Sequence, residues 1–190
     1  MTNQSRKSPR AKFLDYNQGA YFITICTKNK IHYFGEIYNE EMHMNEIGKI
    51  VAYELSNPQV HYPHIEIPLF VIMPNHIHAI IMVNDPCRDE SNHTDLFSQR
   101  TPNPVLRDQP DMSRHVPTLS QYILSMKGAV TKQACKINPS FAWQPRYHDH
   151  FIRGHKDNNK ITEYIENNVL RWDKDCFNEK GSNMSGRPNP

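Results

Sequence analysis

The 190-residue sequence lacks several features that would place it in a familiar class of protein. Its four cysteines include no CxxC pair, which argues against a zinc ribbon and against a small disulfide-bonded scaffold. No apolar run approaches the ~20 residues of a membrane-spanning helix, and the amino terminus has no signal-type apolar segment. There is no internal repeat and no glycine-rich phosphate-binding loop. We therefore expect a soluble, cytoplasmic protein without a membrane partner.

The charges of the chain are nearly balanced, with 22 basic and 20 acidic residues and a formal net charge of +2. Overall charge therefore favours no class of partner. Four of the basic residues cluster in residues 1–12: Arg6, Lys7, Arg10 and Lys12. Such a cluster is typical of a solvated, flexible terminus, although it could also lie on a phosphate backbone.

The length predicts one folded domain between two polar ends. We assign residues 1–12 to a flexible basic tail, residues 13–172 to the domain and residues 173–190 to a second flexible tail. Residues 84–117 form a polar stretch with five prolines. A connection of this length is unusual inside a compact domain, so we interpret it as a mobile loop beside the functional site.

Hydrophobic periodicity predicts seven secondary-structure elements. In chain order they are strand 21–27, helix 44–55, strand 65–73, a strand from residue 76, helix 119–136, a last strand within residues 148–153 and a final helix through residues 161–172. This order is a βαββαβ core followed by a C-terminal helix. It predicts an α+β, ferredoxin-like fold with an antiparallel sheet and its helices mainly on one face.

Polar residues mark where the predicted helices should begin. Asn45 is a candidate N-cap of the first helix. Thr118 and Gln121 have the spacing of a capping box at the start of the second helix. For the final helix, Asp157 or Asn158 is the expected cap.

Two histidines, His76 and His78, stand one residue apart in the most apolar stretch of the chain. Successive side chains of a strand point to opposite faces, so both imidazoles should share a face while Ile77 points away. Two imidazoles on a rigid strand could bind one metal ion, but such pairs are more often structural. A second pair, His148 and His150, shows how easily the spacing arises, and for His150 we expect a buried structural role.

The final helix offers further groups for a metal site. Tyr164 and Asn168 are four residues apart and should lie on one face of the helix. An amide oxygen and two imidazoles would suit Mg²⁺ or Mn²⁺, although Zn²⁺ also fits this donor set. A tyrosine beside such an ion could attack a phosphodiester. The periodicity alone is equally consistent with Tyr164 as a core aromatic residue.

Several blocks of sequence, in the same order along the chain, resemble the single-tyrosine HUH transposases. The similarity is greatest to the REP-associated tyrosine transposases, which are relatives of the transposases of small insertion sequences. The blocks are residues 19–27, 34–37, 70–78, 119–128, 143–153 and 164–168.

This resemblance implies a set of roles. His76 and His78 would be metal ligands, Asn168 the third ligand, and Tyr164 the nucleophile that forms a 5′-phosphotyrosine and frees a 3′-hydroxyl. Proteins of this kind cut and rejoin single-stranded DNA near hairpins with Mg²⁺ or Mn²⁺, in DNA transposition and recombination, and would associate with the nucleoid when acting. A homodimer that exchanges tyrosine helices is also implied as a possibility. The family has an Asn-Pro pair where this sequence has Asn168-Val169. Without the proline, the resemblance does not predict where the helix ends.

Basic and aromatic residues near these blocks are candidates for DNA binding. Lys127, Arg146 and Arg153 could contact phosphates. Trp143 and Tyr147 could stack on exposed bases, or equally belong to the core.

Two other functions fit the same residues. A metal-dependent phosphodiester hydrolase would use activated water and would not need Tyr164. A non-catalytic DNA-binding relative would keep the fold without assembling the site.

Overall fold

The computed structural model describes residues 19–84 and 118–178. The predicted basic tail at residues 1–12, residues 85–117 of the predicted loop and residues 179–190 of the C-terminal tail lie outside the described residues. No helix in the described part of the chain is both long and apolar enough to cross a membrane.

The described residues contain six strands and three α-helices. In chain order they are β1 (Gly19–Cys26), β2 (Gly35–Tyr38), β3 (Glu41–Met44), α1 (Glu46–Ser56), β4 (Ile65–Ile72), β5 (His76–Val83), α2 (Leu119–Ile137), β6 (His148–Phe151) and α3 (His155–Glu166). Short 3-10 turns occupy Lys28–Lys30, Pro58–Val60 and Trp172–Lys174.

Four strands form an antiparallel sheet in the order β4-β5-β1-β6. With α1 between β1 and β4, and α2 between β5 and β6, this is the ferredoxin-like arrangement that the sequence predicted. The β2–β3 hairpin was not predicted. Its two-residue turn places Asn39 at φ 52° and Glu40 at φ 60°, the left-handed conformation that matches the twist of a tight hairpin.

The two faces of the sheet bury different elements. On one face, α1 and α2 cover the main core, whose strand residues include Tyr21, Ile23, Ile25, Ile77 and Ile81. On the other face, α3 packs through Ile161 and Ile165 against Ile80, Phe22 and Val71. The helices are therefore mainly on one face, and the third helix covers the face to which the paired histidines belong.

Two of the predicted helix caps are confirmed and one is wrong. The Asn45 side chain accepts from the Gly48 N–H, and Thr118 forms the predicted capping box with Gln121. The third helix begins earlier than expected, at His155. Gly154, directly before it, adopts φ +85°, and this backbone conformation turns the chain into the helix. Neither Asp157 nor Asn158 is its cap.

Candidate metal and tyrosine site

His76 and His78 lie at the start of β5, opposite Cys26 and Thr24 of β1. Because side chains alternate along a strand, both imidazoles lie on the face covered by α3, whereas Ile77 is buried in the core on the other face. The two imidazoles are buried, and their ring centroids are 4.6 Å apart. The central position of β5 in the sheet holds this pair rigidly.

The orientation of His76 is set by its neighbour Asn75, which is completely buried. The amide nitrogen of Asn75 donates to the carbonyl oxygens of Lys30 at 3.0 Å and Phe177 at 2.9 Å. Its oxygen is therefore the atom 2.8 Å from Nδ1 of His76, and Nδ1 must carry the proton of this hydrogen bond. In the neutral ring, Nε2 of His76 is left as a lone-pair donor to a metal.

Both ring nitrogens of His78 have hydroxyl partners. Nδ1 lies 2.8 Å from the hydroxyl of Thr24 on the neighbouring strand. Nε2 lies 3.2 Å from the hydroxyl of Tyr164 on α3. The ring also stacks on Phe22, with centroids 5.3 Å apart. The sequence predicts that Tyr164 lies beside the histidine pair, but it gives no indication of which imidazole it contacts or of Thr24 and Phe22 as supports of His78.

The prediction that Tyr164 and Asn168 share one face of a continuous helix is wrong, while the role of Asn168 as a metal ligand stays a prediction. α3 ends at Glu166, so Tyr164 and Asn168 do not share an unbroken helical face, and Trp172 begins a separate 3-10 turn. The chain after α3 nevertheless stays tightly coiled, because the Asn168 N–H donates to the Ile165 carbonyl at 3.2 Å. As a result Asn168 is buried and its side chain hydrogen-bonds to Tyr164.

Burial controls the protonation of this cluster. It lowers the pKa of His76 well below its ordinary value, with a further contribution from His78, and it lowers the pKa of His78 to about 4. Both imidazoles are therefore neutral near pH 7, the form that binds a metal. Burial raises the pKa of the Tyr164 hydroxyl, and the charge of Asp175 raises it further, whereas the hydrogen bond from Asn168 lowers it.

Two buried atoms in the cluster, Nε2 of His76 and Oδ1 of Asn168, have no hydrogen-bond partner among the described residues. An unpaired buried acceptor is costly, so these atoms fit a site that is completed by a cation. Within residues 19–84 and 118–178, no three His, Cys, Asp or Glu side chains lie close enough together to hold a metal ion. That finding does not cover the predicted donor set, which consists of two histidines and the amide oxygen of Asn168.

The segment after Trp172 closes one side of the site. It includes residues 173–178, which the sequence predicts to be part of a flexible tail. The Phe177 ring lies 4.5 Å from the His76 ring, centroid to centroid, and Asn178 is buried with its amide donating to the Trp172 carbonyl. Oδ2 of Asp175 lies 3.8 Å from Nε2 of His76. The polar composition of the segment gave no signal of this packing.

The three predicted DNA-binding cations occupy different environments. The Lys127 ammonium donates to the backbone oxygens of Gln144 at 2.8 Å and Arg146 at 3.3 Å, so it holds the loop before β6. Arg146 lies in that loop with φ +73° and its side chain is exposed. Arg153 is exposed after β6, and its N–H donates to Asp157. DNA binding by these residues stays a prediction.

The aromatic and histidine candidates near β6 have structural contacts. The Trp143 indole donates to the Lys127 carbonyl at 3.2 Å, and the Tyr147 hydroxyl lies 2.9 Å from that of Ser120. Both rings pack against the main core. The expectation that His150 is buried was wrong. Its side chain is 54% exposed and pairs with Asp157 at 2.9 Å.

Two clefts border the site on its β1–β6 side. One, of about 190 Å³, is lined by Thr24, Cys26, Gln144, Pro145, Arg146, Tyr147 and His148. The other, of about 540 Å³, is lined by Lys28, Asn29, Lys30, Gln144 and Pro145. They adjoin at the two residues they share, and together they carry three basic side chains.

Comparison with known proteins identifies relatives of this chain. No protein-family model matches it. Two solved structures resemble it. One is a REP-associated tyrosine transposase bound to a REP hairpin, with 17% sequence identity, a TM-score of 0.49, and a match that covers 86% of this chain and 74% of the other. The other is a provisionally assigned transposase from Deinococcus radiodurans R1, with 15% sequence identity, a TM-score of 0.43, and a match that covers 84% of this chain and 97% of the other. An uncharacterised protein from Haemophilus influenzae Rd is 36% identical over 172 residues, which is 90% of this chain and 91% of the relative. The chain belongs to the same family as this Haemophilus influenzae protein.

Proposed function

We propose that the protein is a metal-dependent tyrosine transposase that cleaves and rejoins single-stranded DNA. The observation that carries the proposal is the contact of Tyr164 with the histidine pair. Its hydroxyl lies 3.2 Å from Nε2 of His78, beside the unpartnered Nε2 of His76 and Oδ1 of Asn168. A nucleophile next to buried atoms that suit a metal ion is an arrangement that supports phosphodiester cleavage by a tyrosine.

The metal would be held by His76, His78 and Asn168. Their nitrogen and oxygen donors, without a thiolate, suit Mg²⁺ or Mn²⁺. When bound, such an ion polarises the phosphoryl oxygens and stabilises the negative charge of the leaving 3′-oxygen. Asn75 and Thr24 would support the two imidazoles from behind.

Tyr164 would supply the bond-forming atom. Its phenolic oxygen attacks phosphorus after loss of its proton, the bond from phosphorus to the 3′-oxygen breaks, and the leaving 3′-oxygen takes up a proton as a hydroxyl. The 5′-phosphate then remains joined to Tyr164, and attack by another 3′-hydroxyl reverses the step and rejoins a strand. The tyrosine lies at the surface end of the site, 38% exposed, where a DNA strand can reach it.

The DNA would lie along the two clefts beside the site. Lys28, Lys30 and Arg146 line them and could neutralise phosphates of a single strand. The sequence resemblance extends the proposal to hairpin-forming DNA. Tyr164 contacts His78 of its own chain, which favours a site built by one copy, and a homodimer with exchanged helices stays a prediction.

The test is incubation of the purified protein with end-labelled single-stranded DNA that carries the sequence flanking its own gene, with Mn²⁺, followed by denaturing electrophoresis. We expect a covalent protein–DNA adduct that is lost with Tyr164→Phe, with His76→Ala or with chelator. Tyr53→Phe, a change at an exposed tyrosine on α1, is the matched control and should leave the adduct intact. Cleavage that survives Tyr164→Phe would favour metal-activated water and contradict the proposal.

A further inference from the structure

Asp175 lies closer to the predicted metal-binding atoms than its place near the end of the described chain suggests. Its Oδ2 is 3.8 Å from Nε2 of His76, and its side chain is only 8% exposed. Oδ1 accepts the Phe177 N–H at 2.8 Å, the Cys176 thiol also hydrogen-bonds to the carboxylate, and Oδ2 is the oxygen that faces the imidazole.

The two facing atoms are both acceptors. Nδ1 of His76 carries the ring proton, because it donates to the oxygen of Asn75. Nε2 therefore presents a lone pair to the carboxylate oxygen of Asp175, and no donor of the described residues bonds to that nitrogen. Two acceptors that face each other in a buried site repel, unless a cation lies between them.

The distance between the two atoms is close to, but longer than, that between adjacent ligands of one ion. At the metal–oxygen distance of ~2.1 Å that Mg²⁺ prefers, adjacent octahedral ligands lie ~3.0 Å apart and opposite ligands ~4.2 Å apart. The observed 3.8 Å lies between these values. No three His, Cys, Asp or Glu side chains within the described ranges are close enough together to hold an ion, so binding would have to move Oδ2 of Asp175 nearer to the imidazoles.

We propose that Asp175 is a ligand of the same cation, in addition to His76, His78 and Asn168. The inference rests on the proposed function, since it concerns the same metal. A carboxylate adds negative charge and a hard oxygen donor to the site, and both strengthen the binding of Mg²⁺ or Mn²⁺. It would also tie the segment that carries Phe177 to the bound metal.

The test is titration calorimetry with Mn²⁺ on the full chain. Asp175→Asn keeps Oδ1 for the Phe177 N–H and removes the charge, and we expect it to weaken Mn²⁺ binding at least tenfold. Asp173→Asn, a change at an exposed carboxylate two residues earlier, is the matched control and should bind as the wild type does. His76→Ala should abolish binding. Thermal unfolding in chelator checks that each variant is folded.

The outcomes separate this inference from the proposed function. If Asp175→Asn binds Mn²⁺ within twofold of wild type while His76→Ala does not bind, Asp175 is not a ligand and the proposed function is untouched. If wild type binds neither Mn²⁺ nor Mg²⁺, both the ligand assignment and the metal-dependent mechanism fail. If Asp175→Asn does not fold, a crystal structure of wild type with Mn²⁺ decides. A bond of ~2.2 Å from Oδ2 to the ion supports the assignment, and a separation beyond ~3 Å overturns it.

Discussion

Replacement of Asn75 by alanine should weaken both the fold and the metal site. The side chain is completely buried and makes three hydrogen bonds, to the carbonyls of Lys30 and Phe177 and to Nδ1 of His76. Its removal takes one hydrogen-bond donor from each of the Lys30 and Phe177 carbonyls, and so weakens the attachment of the segment that carries Phe177. It also removes the acceptor that fixes the tautomer of His76. The backbone oxygen of Asn75, which accepts from Thr27, is unaffected.

The expected size of the effect follows from these three bonds. A typical hydrogen bond contributes about 0.5–1.5 kcal/mol net, so the free energy of unfolding should fall by about 2–4 kcal/mol. Loss of a group that orients a metal-binding histidine costs a further ~10- to 100-fold in metal affinity. Urea unfolding in chelator measures the first quantity, and Mn²⁺ titration of the folded variant measures the second.

A second variant separates the two effects. Asn75→Asp keeps an oxygen acceptor for Nδ1 of His76 but loses both N–H donors. Its second carboxylate oxygen faces the carbonyls of Lys30 and Phe177 and buries a negative charge, so it should lose at least as much stability as Asn75→Ala does, while it retains more of the Mn²⁺ affinity. If Asn75→Ala changed the unfolding free energy by less than ~0.5 kcal/mol and the affinity by less than ~threefold, the role assigned to Asn75 would be refuted.

Three further predictions concern stability. In chelator, burial lowers the pKa of folded His78 to about 4 from an ordinary 6.5, so the unfolded chain takes up this proton first as the pH falls. His78 alone should cost about 2 kcal/mol of stability between pH 7.5 and 5, and His76, whose pKa burial also lowers, should add to the loss. His78→Gln should therefore make the fall in stability smaller in urea titrations, and an equal fall in wild type and variant would contradict the prediction. Gly35 has φ +142°, and an added Cβ would lie 2.1 Å from the backbone oxygen of His43, so Gly35→Ala should destabilise the fold by ~2 kcal/mol or more. Gly128 lies on the open face of α2, so Gly128→Ala should be neutral or stabilise by up to ~1 kcal/mol. Similar changes in the melting temperatures of the two variants would refute this prediction. Thr118→Ala removes the capping box of α2 and should cost about 1 kcal/mol in the same melts, and an unchanged midpoint would show that the cap contributes nothing.

The fold was predictable because its signals are local and repeated. Strand alternation around His76 and His78 and helical spacing from Leu119 onwards each specify one buried face. The βαββαβ order then leaves the ferredoxin-like sheet as the natural arrangement. The β2–β3 hairpin escaped because its strands are only four residues each and carry polar side chains.

The supports of the site were not predictable in the same way. Thr24 and Asp175 reach the histidines across the sheet and from the far end of the chain, and nothing in their local sequence marks them. The limits of α3 were missed because Gly154 begins the helix with a backbone conformation rather than a side-chain cap, and no proline follows Asn168 to mark its end. Tertiary contact, rather than local pattern, placed these residues.

The central claim is that Tyr164 becomes covalently joined to DNA, and mass spectrometry tests it most directly. The protein is incubated with single-stranded flanking DNA and Mn²⁺, digested with nuclease and protease, and the peptides are sequenced. The account predicts one modified peptide, with a nucleotide 5′-phosphate on Tyr164 and a free 3′-hydroxyl on the released strand. A phosphate on any other residue, or strand cleavage with no modified peptide, would contradict it.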